Sequence, residues 1–123
     1  MKNFIFLILL TITSVSYAET FYYGKPATIS GKLLLIKSTH PNQETFGGNQ
    51  IAVTLDNEIN VDGEEGLVKT RLIQLVDTDM GRYNLLYKKH GNHVKVNCKD
   101  LFRAHTGHHI TKVLCFVDSA AFK

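Results

Sequence analysis

The residues most able to do chemistry in this chain are three histidines that lie close together. They are His105, His108 and His109. If Thr106-Gly107 forms a two-residue turn, His105 and His108 are cross-strand neighbours whose Cβ atoms lie about 5 Å apart. Imidazole nitrogens at that separation can share one Zn²⁺ or Cu²⁺ ion. A third ligand would come from another part of the chain, and the candidates are His93 and Asp100.

Two other interpretations of the same segment remain open. The imidazoles can hydrogen-bond backbone groups and so fix the shape of a tight loop, or they can contact a ligand directly without a metal ion. For direct binding, the predicted residues are Arg103, His105, Thr106, Gly107, His108 and His109. The metal interpretation is the alternative, with His105 and His108 as ligands. No other cofactor is expected.

Cys98 and Cys115 are the two cysteines of the chain. An even pair in a small exported domain is typical of a disulfide. A two-residue turn at Thr106-Gly107 would place the cysteines directly opposite each other. However, β-branched Thr106 resists the positive φ that such a turn needs. A three-residue turn suits Gly107 better and shifts the pairing by one residue, which a bulge at Lys99-Asp100 would compensate.

The sequence lacks the patterns of the common catalytic sites. Its serines have no nucleophile-elbow context, and it contains no Cys-x-x-Cys pair, glycine-rich phosphate loop or EF-hand. The carboxylates at Asp62, Glu64 and Glu65 lie in a glycine-marked acidic turn, which is more simply a solvated loop. We therefore expect that the protein is not an enzyme.

The hydrophobic period predicts the elements that position these residues. Alternating or apolar β-rich runs predict strands, and the spacing of Met80, Tyr83, Leu86 and Tyr87 predicts one short helix. The predicted strands cover residues 27–36, 51–55, 70–76, 93–98 and 111–117, and the helix covers residues 80–90. Gly31 within the first strand indicates a bend or bulge. Three strands, one helix and two strands predict an all-β fold with one short helix, a disulfide-stapled five-stranded OB-like barrel. A barrel-like β sandwich is the alternative.

The N-terminal residues predict a secretory signal peptide. Lys2 precedes an apolar run over residues 4–15, and Ser16-Tyr17-Ala18 provides small residues at the cleavage positions. The run is about half the ~20 residues that a spanning helix needs, although a retained anchor is the alternative. We expect a signal peptide at 1–18, one domain at 19–123, a periplasmic or secreted location and no membrane span after cleavage.

Charge is unevenly distributed along the chain. One of the 14 Lys and Arg residues, Lys2, lies in the predicted leader, which leaves 13 against 11 acidic residues. Residues 38–68 are acidic and contain no Lys or Arg, whereas residues 88–112 are basic. This pattern predicts an acidic side and a basic side. A nucleic-acid partner is not expected for an exported protein with so small a net charge.

The segment from Leu101 to Thr111 resembles the C-terminal signature of a family of small exported bacterial proteins of unknown function. That signature reads Leu-Phe-x-Ala-His-Thr-Gly-His-His-x-Thr, and the strands around Gln74 and Lys95 are also similar. Arg103 stands where histidine or another polar residue is expected, and the cysteine pair is not expected in every member. The resemblance implies export and one β domain but no activity. The leading hypothesis is a non-catalytic binding module for a protein, glycan or other anionic partner, and the alternative is a Zn²⁺ or Cu²⁺ binding protein.

Overall fold

The computed structural model describes residues 18–63 and 65–123, except for the side chain of residue 46. The predicted signal peptide, apart from Ala18, lies outside these residues. The strands are β1 (Thr20–Tyr22), β2 (Ala27–Lys37), β3 (Asn49–Asp62), β4 (Val68–Val76), β5 (His93–Arg103) and β6 (Val113–Phe122). The helices are α1 (Gln43–Phe46) and α2 (Met80–Lys88). Within the described residues, no helix is both long enough and apolar enough to cross a membrane.

Five of these strands close into a barrel. Strand β2 pairs with β3 and with β5, β3 pairs with β4, and β5 pairs with β6, all antiparallel. The parallel pairing of β4 with β6 completes the ring, and α2 lies between the third and fourth barrel strands along the chain. The OB-like barrel is therefore confirmed. The structure adds the four-residue α1 in the β2–β3 connection and the short β1, which pairs parallel to the end of β3.

The barrel interior is filled by the apolar residues that alternate along each strand. In β5, Val94, Val96 and Cys98 are buried, while Lys95 and Asn97 between them are exposed. Such alternation buries one face of each strand and leaves the other in water. From α2, Leu86 is fully buried and joins the same core.

Gly31, where the sequence indicated a bend or bulge, lies at the point where β2 changes its pairing partner. It pairs with Leu55 of β3 on one side and with Val94 of β5 on the other. A Cβ atom at Gly31 would overlap the carbonyl oxygen of Thr54, and it would lie 2.7 Å from the carbonyl carbon of Thr54 and 2.8 Å from Cα of Leu55. These are backbone atoms of a paired strand, so they cannot move aside as a flexible side chain would.

We expect Gly31→Ala to lower the free energy of unfolding by about 2–3 kcal/mol, because the added methyl group must push β2 away from β3. Thermal unfolding followed by circular dichroism would measure the loss. Gly81→Ala is the matched control, since only a carboxylate oxygen of Asp79 lies near its added Cβ, at 3.5 Å, and alanine favours a helix. An equal melting temperature for the Gly31 variant and the wild type would contradict the close contact between Gly31 and the backbone of β3.

The connection between β5 and β6 differs from the predicted two-residue turn. The strands end at Arg103 and Val113, so residues 104–112 form a nine-residue loop, which we call the 104–112 loop. Cys98 pairs with Val117, and Cys115 pairs with Leu101, so the cysteines are not directly opposite each other. The two-residue turn fails because the backbone of this segment bonds to β4 instead of continuing the strand ladder, as described below.

The predicted disulfide and the predicted bulge are both present. Cys98 and Cys115 are bonded, with their Cα atoms 5.4 Å apart, and both are buried. The β5–β6 register shifts between Cys98 and Asp100, which places Lys99 in a bulge. Because of the extra residue, the buried positions of β5 step from Cys98 to Leu101, so that Leu101 and its partner Cys115 stay on the inner face together with Cys98.

Candidate functional site

The 104–112 loop is held by a buried glutamine from β4. The side-chain amide of Gln74, which is 2 % exposed, donates to the carbonyl oxygen of His108 at 3.1 Å and accepts from the backbone N–H of Ile110 at 2.7 Å. The Thr111 hydroxyl accepts from the N–H of Gln74 at 3.0 Å and donates to the carbonyl oxygen of Val113 at 2.6 Å. Buried polar groups must be paired, and these bonds pair them. They therefore fix the backbone of the loop against the barrel.

Two of the histidines add hydrogen bonds within the loop. Nδ1 of His105 donates to the carbonyl oxygen of Arg103 at 2.9 Å, because a carbonyl can only accept. The backbone N–H of His105 donates to Nδ1 of His109 at 3.0 Å. His109 therefore carries no proton on Nδ1 in this arrangement. Both bonds are of the kind expected if the histidines fix the shape of the loop.

The rings of Phe102, His105 and His109 pack together, and we call them the aromatic cluster. The centroids of His105 and His109 are 4.7 Å apart with the rings nearly perpendicular, and both rings lie within 6 Å of Phe102 at 5.8 and 5.6 Å. Edge-to-face contacts of this type are favourable for aromatic rings. The ring neighbour of His105 is thus His109, not His108 as the two-residue turn predicted.

Burial and the nearby His105 and His108 lower the pKa of His109. The lowered pKa favours the neutral imidazole at neutral pH, and the hydrogen bond that Nδ1 accepts requires that form. Protonation would place a second donor where the N–H of His105 already points. The charge state of this ring and the shape of the loop are therefore linked.

Three observations bear on the interpretation of the histidines as metal ligands. Nδ1 of His105 and Nδ1 of His109 are both engaged in hydrogen bonds. In the described part of the chain, no three His, Cys, Asp or Glu side chains are grouped so that they could hold one ion. His93, a candidate third ligand, contacts Asp56 through Nε2 at 2.7 Å.

A cavity of about 650 Å³ lies beside the loop. Its walls are the Tyr23-Gly24 segment after β1, Gly63 and Glu65 between β3 and β4, and residues 100–105 at the end of β5 and the start of the loop. Two of these wall residues form an ion pair: Nη1 of Arg103 lies 2.6 Å from Oε2 of Glu65, with the side chains 37 % and 73 % exposed. His105 lines the cavity as well, so the loop and the cavity share residues.

Tyr23 lines this cavity, and its hydroxyl oxygen is a buried polar atom. It finds no hydrogen-bond partner among the residues that the structure describes. Burial raises the pKa of Tyr23, and the positive charge of Arg103 opposes that rise in part. A buried hydroxyl without a partner is unfavourable for the stability of the fold.

The acidic segment and the basic segment of the sequence contact each other through two ion pairs. At these two pairs the fold does not separate them into an acidic side and a basic side. Arg103 pairs with Glu65, and His93 pairs with Asp56. A second cavity of about 640 Å³, near β2 and the middle of β3, is lined by the acidic residues Glu19, Asp56 and Glu58, among others. Lys95 and Lys99 remain on the exposed face of β5, and Nζ of Lys99 lies 5.2 Å from the ring centroid of Phe116.

The C-terminal part of the chain can be compared with a known family. Residues 72–121 match the family model of a domain of unknown function, DUF4431. The DUF4431 match begins within β4 and ends within β6, and it includes Gln74, both cysteines and the whole 104–112 loop. No curated protein matches the chain. The similarity to DUF4431 thus covers the loop and its anchor but supplies no activity.

The predicted binding residues lie at one end of the barrel. His105, Thr106 and His108 are exposed, whereas Gly107, His109 and Arg103 are half-buried. The carbonyl oxygen of Thr106 accepts from the N–H of His109 at 3.1 Å, which places Gly107 and His108 at the centre of a turn.

Sequence reasoning missed the roles of Gln74 and Tyr23. A polar residue between Ile73 and Leu75 in an apolar strand was the available signal for Gln74. Tyr23 precedes the first predicted strand, and no local pattern distinguishes it. Its importance comes from the β1–β3 pairing and from the neighbouring Gly63, where an added Cβ atom would lie 3.4 Å from the Tyr23 ring.

Proposed function

We propose that this protein is an exported, non-catalytic binding module that presents the 104–112 loop and Arg103 to an anionic partner. The observation that carries this proposal is the anchoring of an exposed polar loop by the buried side chain of Gln74. A loop that is already ordered loses little conformational entropy when it binds. Binding residues are commonly found on loops that a rigid scaffold positions. The loop thus combines exposure of His105, Thr106 and His108 with a fixed backbone.

The charges beside the loop favour an anionic partner. Arg103 at its base and exposed Lys99 and Lys112 near its two ends provide cations. Arginine recognises carboxylates and similar planar anions through paired hydrogen bonds. The partner is therefore an acidic protein or an acidic glycan.

The disulfide supports an oxidising compartment, in which a bond such as Cys98–Cys115 forms and persists. The predicted signal peptide would direct the chain to such a compartment. The proposed location is the periplasm or the cell exterior, where acidic polymers are accessible to a small binding domain.

Binding to immobilised polyanions tests this function. We expect the mature protein to bind polyglutamate or polygalacturonate at low salt and pH 6, and to bind neutral dextran at least tenfold more weakly. Binding should weaken as salt is added, because exposed charges are screened beyond about 10 Å at 0.1 M ionic strength. The variant Arg103→Gln/His105→Ala/His108→Ala should lose at least tenfold in affinity, as measured by biolayer interferometry.

Lys37→Gln is the matched control for this experiment, since Lys37 is an exposed cation at the end of β2 and does not line the cavity. It should bind as the wild type does. Equal affinity of the triple variant and the wild type would contradict the proposal. A rise in melting temperature with Zn²⁺ or Cu²⁺ that the triple variant lacks would instead support the metal alternative.

A further inference from the structure

The strand ladder of the barrel has a gap where β2 and β3 separate, which we call the β2–β3 gap. Strand β2 pairs with β3 only from Gly31 onward, and residues 27–30 pair with β5 alone. On the same side of β3, pairing with β2 ends at Leu55 and pairing with β1 begins at Asn60, because β4 occupies the other side at both places. Among the described residues, residues 27–30 of β2 and 56–59 of β3 therefore have no strand partner across the gap.

The second cavity, of about 640 Å³, lies in this gap. Its volume is within the range of roughly 300–1,000 Å³ that is common for ligand sites. Its lining comes from both separated strands and from the segment at β1: Ala18, Glu19, Phe21, Thr28, Ile29, Ser30 and residues 55–59. Thr28, Asp56, Asn57 and Glu58 are exposed, so a ligand can reach the gap from solvent.

We infer that the β2–β3 gap binds an extended, basic peptide segment of a partner protein, which adds a strand beside β2. Peptide strands add to open sheet edges through main-chain hydrogen bonds, and their side chains at alternate positions provide specificity. None of the residues that line the gap belongs to the 104–112 loop. The gap is thus a second binding surface, separate from the one proposed above.

The main chain of Thr28 and Ser30 is directed into the gap. On the β5 side, the N–H of Leu33 donates to the carbonyl oxygen of Asn92 at 2.9 Å, and the carbonyl oxygen of Leu33 accepts from the N–H of Gly91 at 2.7 Å. Successive residues of an antiparallel strand bond to opposite sides, and the β2–β5 register is continuous. Every second residue from Leu33 back along β2 therefore bonds to β5, while Thr28 and Ser30 between them face the gap.

The charges around the gap select a basic segment. Its lining contains three carboxylates and no lysine, arginine or histidine, and the carboxylates are those of Glu19, Asp56 and Glu58. In the described part of the chain, Glu19 and Glu58 take part in no ion pair. The Asp56 side chain contacts His93 but is 48 % exposed, so this pair is weak. Charges of one sign along a strand edge repel acidic segments and attract basic ones.

A five-residue peptide of alternating lysine and valine, acetylated and amidated at its ends, tests this inference on the mature protein. We expect it to shift the ¹H–¹⁵N NMR signals of Thr28, Ser30 and Glu58. It should bind at least tenfold more tightly than the same peptide with glutamate in place of lysine, because like charges repel at the gap. The variant Asp56→Asn/Glu58→Gln should bind the lysine peptide at least fivefold more weakly. Glu44→Gln is the matched control, since Glu44 is an exposed carboxylate outside the gap, and it should bind as the wild type does.

N-methylated peptides separate strand addition from a general attraction between charges. In a bound strand every second N–H points to the same neighbour. Methylation of both valine nitrogens and methylation of the middle lysine nitrogen therefore block opposite sides of the peptide. At least one of these two peptides should bind threefold or more weakly than the unmethylated one, the effect of a lost hydrogen bond.

Three results would overturn the inference. They are equal affinity of both methylated peptides and the unmethylated one, equal affinity of the lysine and glutamate peptides, and signal shifts confined to residues outside the gap. Self-association in sedimentation velocity that Asp56→Asn/Glu58→Gln abolishes and the lysine peptide does not displace would show that a second copy of the chain occupies the gap instead. Polyglutamate binding through the 104–112 loop does not depend on the gap, so these results leave the proposed function unaffected.

Discussion

Replacing Asp77 by Ala is expected to lower the free energy of unfolding by about 2–4 kcal/mol, because its carboxylate accepts three hydrogen bonds that are each worth about 1 kcal/mol or somewhat more. Asp77 follows β4, and its side chain is 0 % exposed. Its Oδ2 accepts from Nε of Arg82 at 2.5 Å, and its Oδ1 accepts from Nη2 at 2.8 Å. Oδ1 also accepts from the N–H of Asp79 at 2.9 Å. Without the carboxylate, these donors lose a partner that is itself fully buried, and only the exposed part of the Arg82 side chain can turn to water instead.

The same ion pair connects α2 to the barrel. Arg82 donates from Nη1 to the carbonyl oxygen of Asp118 at 2.6 Å and from Nη2 to that of Val117 at 3.2 Å, both in β6. Asp79 caps the N-terminus of α2 by accepting from the N–H of Arg82 at 3.1 Å. The loss of Asp77 therefore frees the guanidinium that joins β4, α2 and β6.

The ion pair also predicts a pH dependence of stability. Burial alone would raise the pKa of Asp77, but hydrogen bonds from Arg82 and the N–H of Asp79 outweigh burial, and the pKa is lowered. A carboxyl whose pKa is lower in the folded state than in the unfolded state stabilises the fold above its ordinary pKa of 3.8. That contribution is lost as the pH falls through the folded-state pKa.

Urea unfolding at pH 7 and at pH 3 would measure both effects. Asp77→Ala should remove part of the acid sensitivity together with the stability. Asp118→Ala is the matched control, because its side chain is exposed and surface substitutions usually change stability within about 0.5 kcal/mol. A loss below about 1 kcal/mol for Asp77→Ala would show that the ion pair does not hold α2 to the barrel.

The order of the barrel strands could be predicted from the sequence because each strand carries its own period. The runs around Val53, Leu75 and Val96 alternate or are continuously apolar, and Gly31 lies where β2 pairs on both sides. Strand β1 could not be predicted in this way. It has three residues, and its pairing with the end of β3 depends on residues some forty positions later in the chain.

The acidic segment after Leu55 shows how a weak local signal can be correct. Its charges and glycines favoured a loop, although Ile59 and Val61 allowed a short strand extension. In the structure β3 continues to Asp62 after a register shift that follows Thr54, with Ile59 and Val61 buried. Burial of these two side chains outweighs the low β-propensity of their charged neighbours.

The sequence singled out the segment of the 104–112 loop but did not predict its geometry. Local turn chemistry suggested a hairpin at Thr106-Gly107, which would have paired His105 with His108. The actual shape depends on Gln74, whose side chain bonds to the backbone of His108 and Ile110 more than thirty residues away in sequence. A contact of that length leaves no trace in a local pattern, so the ring pair of His105 and His109 emerges only in the fold.

Removal of the disulfide is expected to be the second large effect on stability. Cys98 and Cys115 are separated by 17 residues and are buried between β5 and β6, and the 104–112 loop lies within the cross-linked segment. Cross-linking a segment of about this length stabilises a protein by roughly 3 kcal/mol, chiefly by restricting the unfolded chain. We therefore expect the variant Cys98→Ala/Cys115→Ala to melt more than about 10 °C below the wild type, since 1 kcal/mol corresponds to about 4–8 °C in a domain of this size.

The loss of stability in the double cysteine variant should be unequal across the domain. The barrel ladder between β2 and β3 lies outside the cross-linked segment, whereas the ends of β5 and β6 and the 104–112 loop lie within or beside it. Native-state hydrogen exchange should therefore show faster exchange at Ala104, His109 and Ile110 than in β3 of the double variant. A reducing agent should lower the melting temperature of the wild type toward that of the double variant and leave the variant unchanged. If the reduced wild type keeps its melting temperature, or if its thiols react with iodoacetamide under native conditions before any reductant is added, the bond does not support the loop.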